Sequence, residues 1–115
     1  MATLICCVPT CSATADVPPG CEEALCGDHL ALASSASRRR LTHRSARLDR
    51  LEALRADDRA FEAIFASDRH LKLCAVIDHA SEMATAAWVR VKLEVLVETA
   101  RRDGKPPLVL WQANR

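Results

Sequence analysis

The chain has no tyrosine, only two phenylalanines, two tryptophans and three glycines among its 115 residues. So few aromatic rings exclude a core built on large flat side chains, and whatever is buried must be aliphatic or small. Scarce Gly and Pro beside abundant Ala, Leu, Arg and Glu favour helix over sheet. The formal net charge is only +1, which excludes a polycation of the histone-tail kind. No apolar run reaches the roughly eighteen residues a membrane span requires. The longest apolar zone, residues 84–97, is broken by Arg90, Lys92 and Glu94. The opening MATLICCVPT has neither a basic n-region nor the apolar stretch of a secretory signal. The expectation is a soluble cytoplasmic protein. In such a reducing compartment, clustered cysteines ligate metal rather than pair as disulfides.

Catalytic signatures are also missing. There is no nucleophile elbow, Gly-rich phosphate loop, H-E-x-x-H or paired-carboxylate pattern. Asp78 and His79 are adjacent and would point apart on a helix, and His70 and His79 share no metal-binding face. The chain is therefore expected not to be an enzyme. At this length it forms one domain, or a small head joined to one helical domain.

What is present is concentrated in residues 6–29, CCVPTCSATADVPPGCEEALCGDH, which hold five of the six cysteines and one of the four histidines. Zinc takes four soft or borderline donors in a tetrahedron, and two separated pairs supply them with little chain strain. The preferred set is Cys6, Cys11, Cys26 and His29. The first pair brackets a tight Val-Pro-Thr turn. The second sits where a helix is expected to begin, with Gly27 and Asp28 giving turn and capping chemistry and LALASSA continuing it. Residues three apart at a helix start face the same side, so Cys26 and His29 can converge. The positive helix end would also help keep a thiolate ionised. Cys7 and Cys21 are alternates, since either could replace a neighbour. Cys74 reads as a small core residue. Between the pairs, Pro18-Pro19-Gly20 is a turn signal whose flanks could form a short hairpin.

The arrangement CCVPTC…ALCGDHL resembles the C-x4-C…C-x2-H zinc heads at the start of many small bacterial and phage proteins. The likeness covers about a quarter of the chain. It implies a treble-clef-like head with a structural zinc, in a nucleic-acid or transcription-related setting. Cys7 and Cys21 depart from that pattern. An HNH-type nuclease would share the zinc-held treble clef, but no His-Asn-His set accompanies it.

Behind the head, residues 36–50 carry six arginines and one acidic residue, whereas residues 1–35 carry four acids and no Lys or Arg. Arg38, Arg39, Arg40, Arg44, Arg47 and Arg50 are the candidate phosphate contacts on a helix whose apolar stripe runs through Leu41, Leu48 and Leu51. A merely solvated charged face is the plainer alternative. No aromatic residue is interleaved, so base stacking is not suggested and contact would be with backbone phosphate. Asp57 and Asp58 mark a boundary before an apolar face of Phe61, Ile64 and Phe65. Ser67 and Asp68 then open a long helix along the stripe Leu73, Ile77, Ala80, Ala84, Trp88, Val91 and Val95. Leu93, Leu96, Val97 and Ala100 widen that face. Residues 89–95 alternate with period two, a strand signature. The alanine-rich lead-in and the ending Arg101-Arg102-Asp103-Gly104 favour helix, and Glu98 with Arg102 adds an i,i+4 pair.

The expected fold is mainly α: a treble-clef-like zinc head at residues 1–35, then a helical body at residues 36–115. That body has about three helices, the last one long, and a short extended tail containing Trp111. The leading functional expectation is a zinc-stabilised, non-catalytic regulatory or accessory protein, possible phage or mobile-element derivation included. Its partner would be nucleic acid or a nucleic-acid-bound complex. The rival is a protein-interaction module, a homodimer or adaptor using the long apolar helix. A zinc-dependent nuclease or hydrolase is the third class.

Overall fold

The computed structural model describes residues 1–57 and 68–104, the side chain of Arg69 excepted. The expected helix around Phe61, Ile64 and Phe65 lies outside the described residues, as do Pro106, Pro107 and Trp111. Among the described residues the chain is mainly helical, with a small two-stranded sheet at its start. Strands β1 (Ala2–Ile5) and β2 (Thr14–Val17) are followed by α1 (Gly27–Leu30), α2 (Ser35–Ala56) and α3 (Asp68–Arg102). None of these helices is long and apolar enough to cross a membrane.

The chain divides into two compact units, one of Met1–Arg38 with Arg90–Arg115, the other Arg39–Val89. In the first, β1 and β2 pair antiparallel from Ala2 opposite Val17 to Ile5 opposite Thr14. The Thr3 hydroxyl donates to Asp16 Oδ1 at 2.9 Å across that register. One face is turned inward: Ala2, Leu4, Ala15 and Val17 are half-buried, while Thr3, Ile5, Thr14 and Asp16 face solvent.

The hairpin does not lie where the sequence reading puts it. It flanks the first cysteine pair instead of separating the two pairs, so Cys6 and Cys11 occupy its connecting loop. Pro18-Pro19-Gly20 makes the turn that leaves β2. There the Cys21 N–H donates to the Pro18 carbonyl at 3.4 Å, and Gly20 takes φ 93°. Glycine is needed at that third turn position, because a Cβ is disfavoured at positive φ.

Helix α1 is a single turn, shorter than the helix expected to run on through LALASSA. Cys26, not Asp28, stands at its N-cap, in extended conformation and without a side-chain cap bond. Its last bonds tighten to three-residue spacing, from Leu32 N–H to the His29 carbonyl and from Ala33 N–H to the Leu30 carbonyl. Ser34 then caps α2: its Oγ accepts the Ser37 N–H at 3.2 Å, satisfying a donor that the first helical turn leaves over.

No acidic residue lies in the first turn of α2, and the carboxylate arrives from α3. Glu94 accepts the Ser34 N–H at 3.0 Å, the Ser37 hydroxyl, and Arg90 Nε at 3.0 Å. The Ser37 hydroxyl, the Ser34 amide and Arg90 together outweigh desolvation and hold the Glu94 carboxyl down at about 2. Lys92 Nζ reaches Glu23 Oε2 at 2.5 Å. Among the described residues of this unit, the buried side chains are Cys6, Val8, Ala24, Leu25, Cys26, Ala33, Ser37, Val91 and Val95.

In the second unit, Ile77, Ala80 and Ala87 are the buried apolar residues among those described. Arg44 donates to the Met83 carbonyl at 3.2 Å, tying α2 to α3. The alternating stretch 89–95 is helical, and α3 runs unbroken to Arg102. The alanine-rich turns before it propagate the helix through the alternation, and the fully buried positions there, Val91 and Val95, are spaced four apart as a helix requires. Gly104 ends it at φ 68°, its N–H on the Arg101 carbonyl at 3.2 Å. Glu98 accepts from Arg102 Nε at 3.1 Å and also from Arg101 at 2.6 Å. Val97, expected on the buried face, is 45% exposed.

Candidate metal centre

The first pair of thiols is set by the loop between the strands. The Cys6 N–H donates to the Ala13 carbonyl at 2.8 Å, continuing the hairpin ladder one step beyond β1. The Cys11 N–H returns to the Val8 carbonyl at 3.1 Å, closing a β-turn over Pro9 and Thr10. Proline suits the second position of such a turn, while the third needs positive φ. Thr10 supplies it, at φ 73°, the one non-glycine residue so placed among those described. A β-branched side chain is strained there.

The second pair is brought up by one backbone bond. The Cys7 N–H donates to the Ala24 carbonyl at 2.8 Å, laying residues 24–26 against the loop with Ala24, Leu25 and Cys26 all buried. The Cys26 carbonyl starts α1, accepting the Leu30 N–H at 2.8 Å. His29 follows three positions on, one turn round the same face.

The four donors meet. Sγ of Cys6, Cys11 and Cys26 and a ring nitrogen of His29 all lie within 4.8 Å of one another. His29 Nδ1 is 3.1 Å from Cys26 Sγ and 3.4 Å from Cys6 Sγ, and the Cys11 and Cys26 sulfurs are 3.9 Å apart. A tetrahedron with metal–sulfur bonds of about 2.3 Å and metal–nitrogen bonds of about 2.0 Å has edges of roughly 3.5–3.8 Å. The observed edges bracket those values, so this group could hold one metal ion. Cys7 and Cys21, the alternates, are outside the group. Cys7 is half-buried and Cys21 exposed.

The thiols are not electrostatically equivalent. Burial raises the Cys6 thiol, but the N–H groups of Cys26 and Val8, with the Cys26 and Cys11 thiols, more than compensate and its pKa is lowered. At Cys11 the Ala13 N–H pulls downward, yet desolvation and the Cys6 and Cys26 side chains leave it raised. Once one thiolate forms, its neighbours resist ionising. A divalent cation removes that repulsion, and the backbone N–H groups around the sulfurs are the outer support such a site uses. Cys7, facing burial and the Glu23 carboxylate, is raised.

Of the six arginines expected to meet phosphate, two are otherwise engaged. Arg38 donates through Nε to the Ala33 carbonyl at 3.2 Å, and Arg44 is held on the Met83 carbonyl. Arg39, Arg40, Arg47 and Arg50 are exposed along α2. Cys74 is half-buried beside His70, Sγ to Nε2 3.6 Å, an i,i+4 pair within α3. The Glu94 cap was not anticipated from the sequence; an α2 lacking an acid in its first turn was the available signal. Comparison with family models, with curated proteins and with solved structures finds no match to this chain.

Proposed function

We propose that the chain is a small zinc-stabilised, non-catalytic regulatory or accessory protein that binds nucleic acid or a nucleic-acid-bound complex. Zinc would hold the treble-clef-like head through Cys6, Cys11, Cys26 and His29. The observation that carries this reading is the convergence of those four donors from a hairpin loop and a helix start. Three thiolates and an imidazole favour zinc over hard cations such as magnesium or calcium. Four protein donors fill a tetrahedron and leave no position for the water a catalytic zinc activates. The zinc is structural in this reading, and the arginines of α2 supply phosphate contacts. The test is elemental analysis of protein purified in reducing buffer, with duplex and single-stranded nucleic acid binding measured on the same sample. One zinc per chain and salt-sensitive binding are expected. A metal content near zero overturns the metal assignment, and no retention of any nucleic acid at low salt overturns the partner.

The protein-interaction reading has its own support in α3, where Leu71, Val76 and Val89 are 68%, 41% and 43% exposed. Leu71 and Val89 share one azimuth of α3, a line that a partner helix would cover. Under that reading sedimentation shows a concentration-dependent dimer, which Val76→Glu and Val89→Glu together convert to monomer.

A further inference from the structure

We propose that one solvent-facing arc of α2, formed by Arg39, Arg40, His43, Arg47 and Arg50, is a docking surface for duplex DNA that grips phosphate without reading sequence. This rests on the nucleic-acid reading above and narrows it to one class of partner and one face.

The argument begins with helical geometry. At about 100° per residue, these five positions fall within an arc of roughly 100°. They extend over about 16 Å of helix at 1.5 Å per residue. All five side chains are exposed. Asp49 and Glu52, the acids within this stretch of α2, lie off the arc, about 80° and 120° beyond its nearer edges. The cationic face therefore contains no carboxylate of its own helix. Arg38 and Arg44 are excluded from it: each lies off the arc and donates to a backbone carbonyl. The six arginines between residues 38 and 50 thus separate into two that donate to backbone carbonyls, Arg38 and Arg44, and four that lie on the arc.

The chemistry of the face selects the partner. Arginine presents a planar, permanently charged fork suited to phosphate oxygens. Apart from the His43 imidazole and Leu54, the arc offers nothing to stack on or pack against bases, which disfavours splayed single strands. A bare helical face of this length can enter the major groove of B-form DNA, about 12 Å wide, with arginines reaching the phosphates on its walls. The deep, narrow major groove of A-form RNA does not admit it. No Asn, Gln or Glu lies on the arc to discriminate base edges, so contact positions the protein without specifying sequence.

The test uses the zinc-loaded full chain and fluorescence anisotropy on a random-sequence 20-base-pair DNA. The same titrations are run on matched duplex RNA, single-stranded DNA and polyglutamate. Four phosphate contacts give a slope of log K against log salt of about −3.6. The variant R39Q/R40Q/R47Q/R50Q should lose at least about 100-fold in duplex affinity at low salt. The charge-matched control R55Q/K72Q/R101Q/R102Q should change it less than about tenfold, because none of those cations belongs to the arc. Zinc content and circular dichroism of both variants establish that they fold. DNA binding by the quadruple variant within threefold of the parent overturns this inference while leaving the nucleic-acid reading standing. So does equal affinity for RNA duplex or single strand. Tightest binding to polyglutamate transfers the face to an acidic protein, and absence of all nucleic-acid binding sinks both readings together.

Discussion

In the unit of Met1–Arg38 with Arg90–Arg115, four donor side chains converge within 4.8 Å and one carboxylate gathers three hydrogen bonds. In the unit Arg39–Val89, burial among the described residues rests on Ile77, Ala80 and Ala87. The first is specified by polar geometry around a few points, the second by helix periodicity and small side chains packed closely. A head whose strands are four residues long buries too little apolar surface to hold itself. In the metal-bound reading it borrows stability from coordination, and Glu94 of α3 adds its hydrogen bonds. Among its described residues the helical unit shows no comparable cluster, and Arg39, Arg40, Arg47 and Arg50 are exposed on it. The difference predicts where each unit breaks.

The largest effect follows from removing the metal. Structural zinc sites contribute on the order of 10 kcal/mol to the folding of small metal-held segments. Chelation at neutral pH in reductant should therefore abolish the amide dispersion of β1 and β2 while far-UV helicity of α2 and α3 largely survives. Cys6→Ser, Cys11→Ser, Cys26→Ser and His29→Ala should each lose the metal on elemental analysis. Cys7→Ser and Cys21→Ser should keep it, because neither thiol belongs to the four-donor group. If Cys7→Ser alone emptied the site, the assignment of donors would be wrong. Loss of helicity in step with the hairpin would erase the contrast between the units.

Much of this contrast was legible in the residues themselves. The two spacings of four and two residues were enough to nominate Cys6, Cys11, Cys26 and His29, because ligand convergence depends on short-range turns. The C-terminal end of α3 was also readable, Gly104 closing it, since such a stop is local chemistry. Other features were not. A strand of four residues such as β1 has too few positions to show alternation, so the hairpin was misplaced onto the Pro18-Pro19-Gly20 turn. The one-turn length of α1 was hidden because LALASSA has good intrinsic helix propensity; the capping bond at Ser34 starts a new helix beyond it. Glu94 lies sixty positions from Ser34 in sequence, and no local pattern announces a contact of that range. The division of the arginines was likewise invisible, because it depends on which carbonyls the tertiary fold leaves within reach of Arg38 and Arg44.

A second, smaller break targets that distant cap. Glu94→Gln keeps the shape but replaces a charged acceptor serving Ser34, Ser37 and Arg90 with a neutral one. Hydrogen bonds to a charged group are worth about 1.5–3 kcal/mol each at most, and partial exposure reduces this, so a net loss of about 1–2 kcal/mol is expected. The pH dependence has a definite sign. The folded-state carboxyl lies at about 2, below its ordinary 4.5. Its contribution is therefore complete above about pH 4.5 and disappears as pH falls through about 2. Denaturant titrations should show the same gap between parent and variant at pH 7 and pH 5. A gap that closed between those two values would mean that a group other than Glu94 is responsible. A gap indistinguishable from zero at both would show that the cap adds nothing, removing one of the two supports assigned to the head.

The smallest effect is expected at Thr10 and acts in the opposite direction, toward greater stability. Its φ of 73° lies in the left-handed region, where a Cβ crowds the following carbonyl at a cost of about 1–2 kcal/mol. Glycine removes that crowding but gains freedom in the unfolded chain, which returns part of the benefit. Thr10→Gly should therefore stabilise the metal-bound head by about 0.5–1 kcal/mol, read as a two- to fivefold tighter metal affinity in chelator competition. Thr10→Val, equally branched and without the hydroxyl, separates strain from hydrogen bonding: it should match the parent if φ alone is responsible. If Thr10→Gly instead weakened the metal, the threonine side chain would be supporting the turn. The loop between β1 and β2 would then owe its shape to a side-chain contact as well as to the bonds at Cys6 and Cys11.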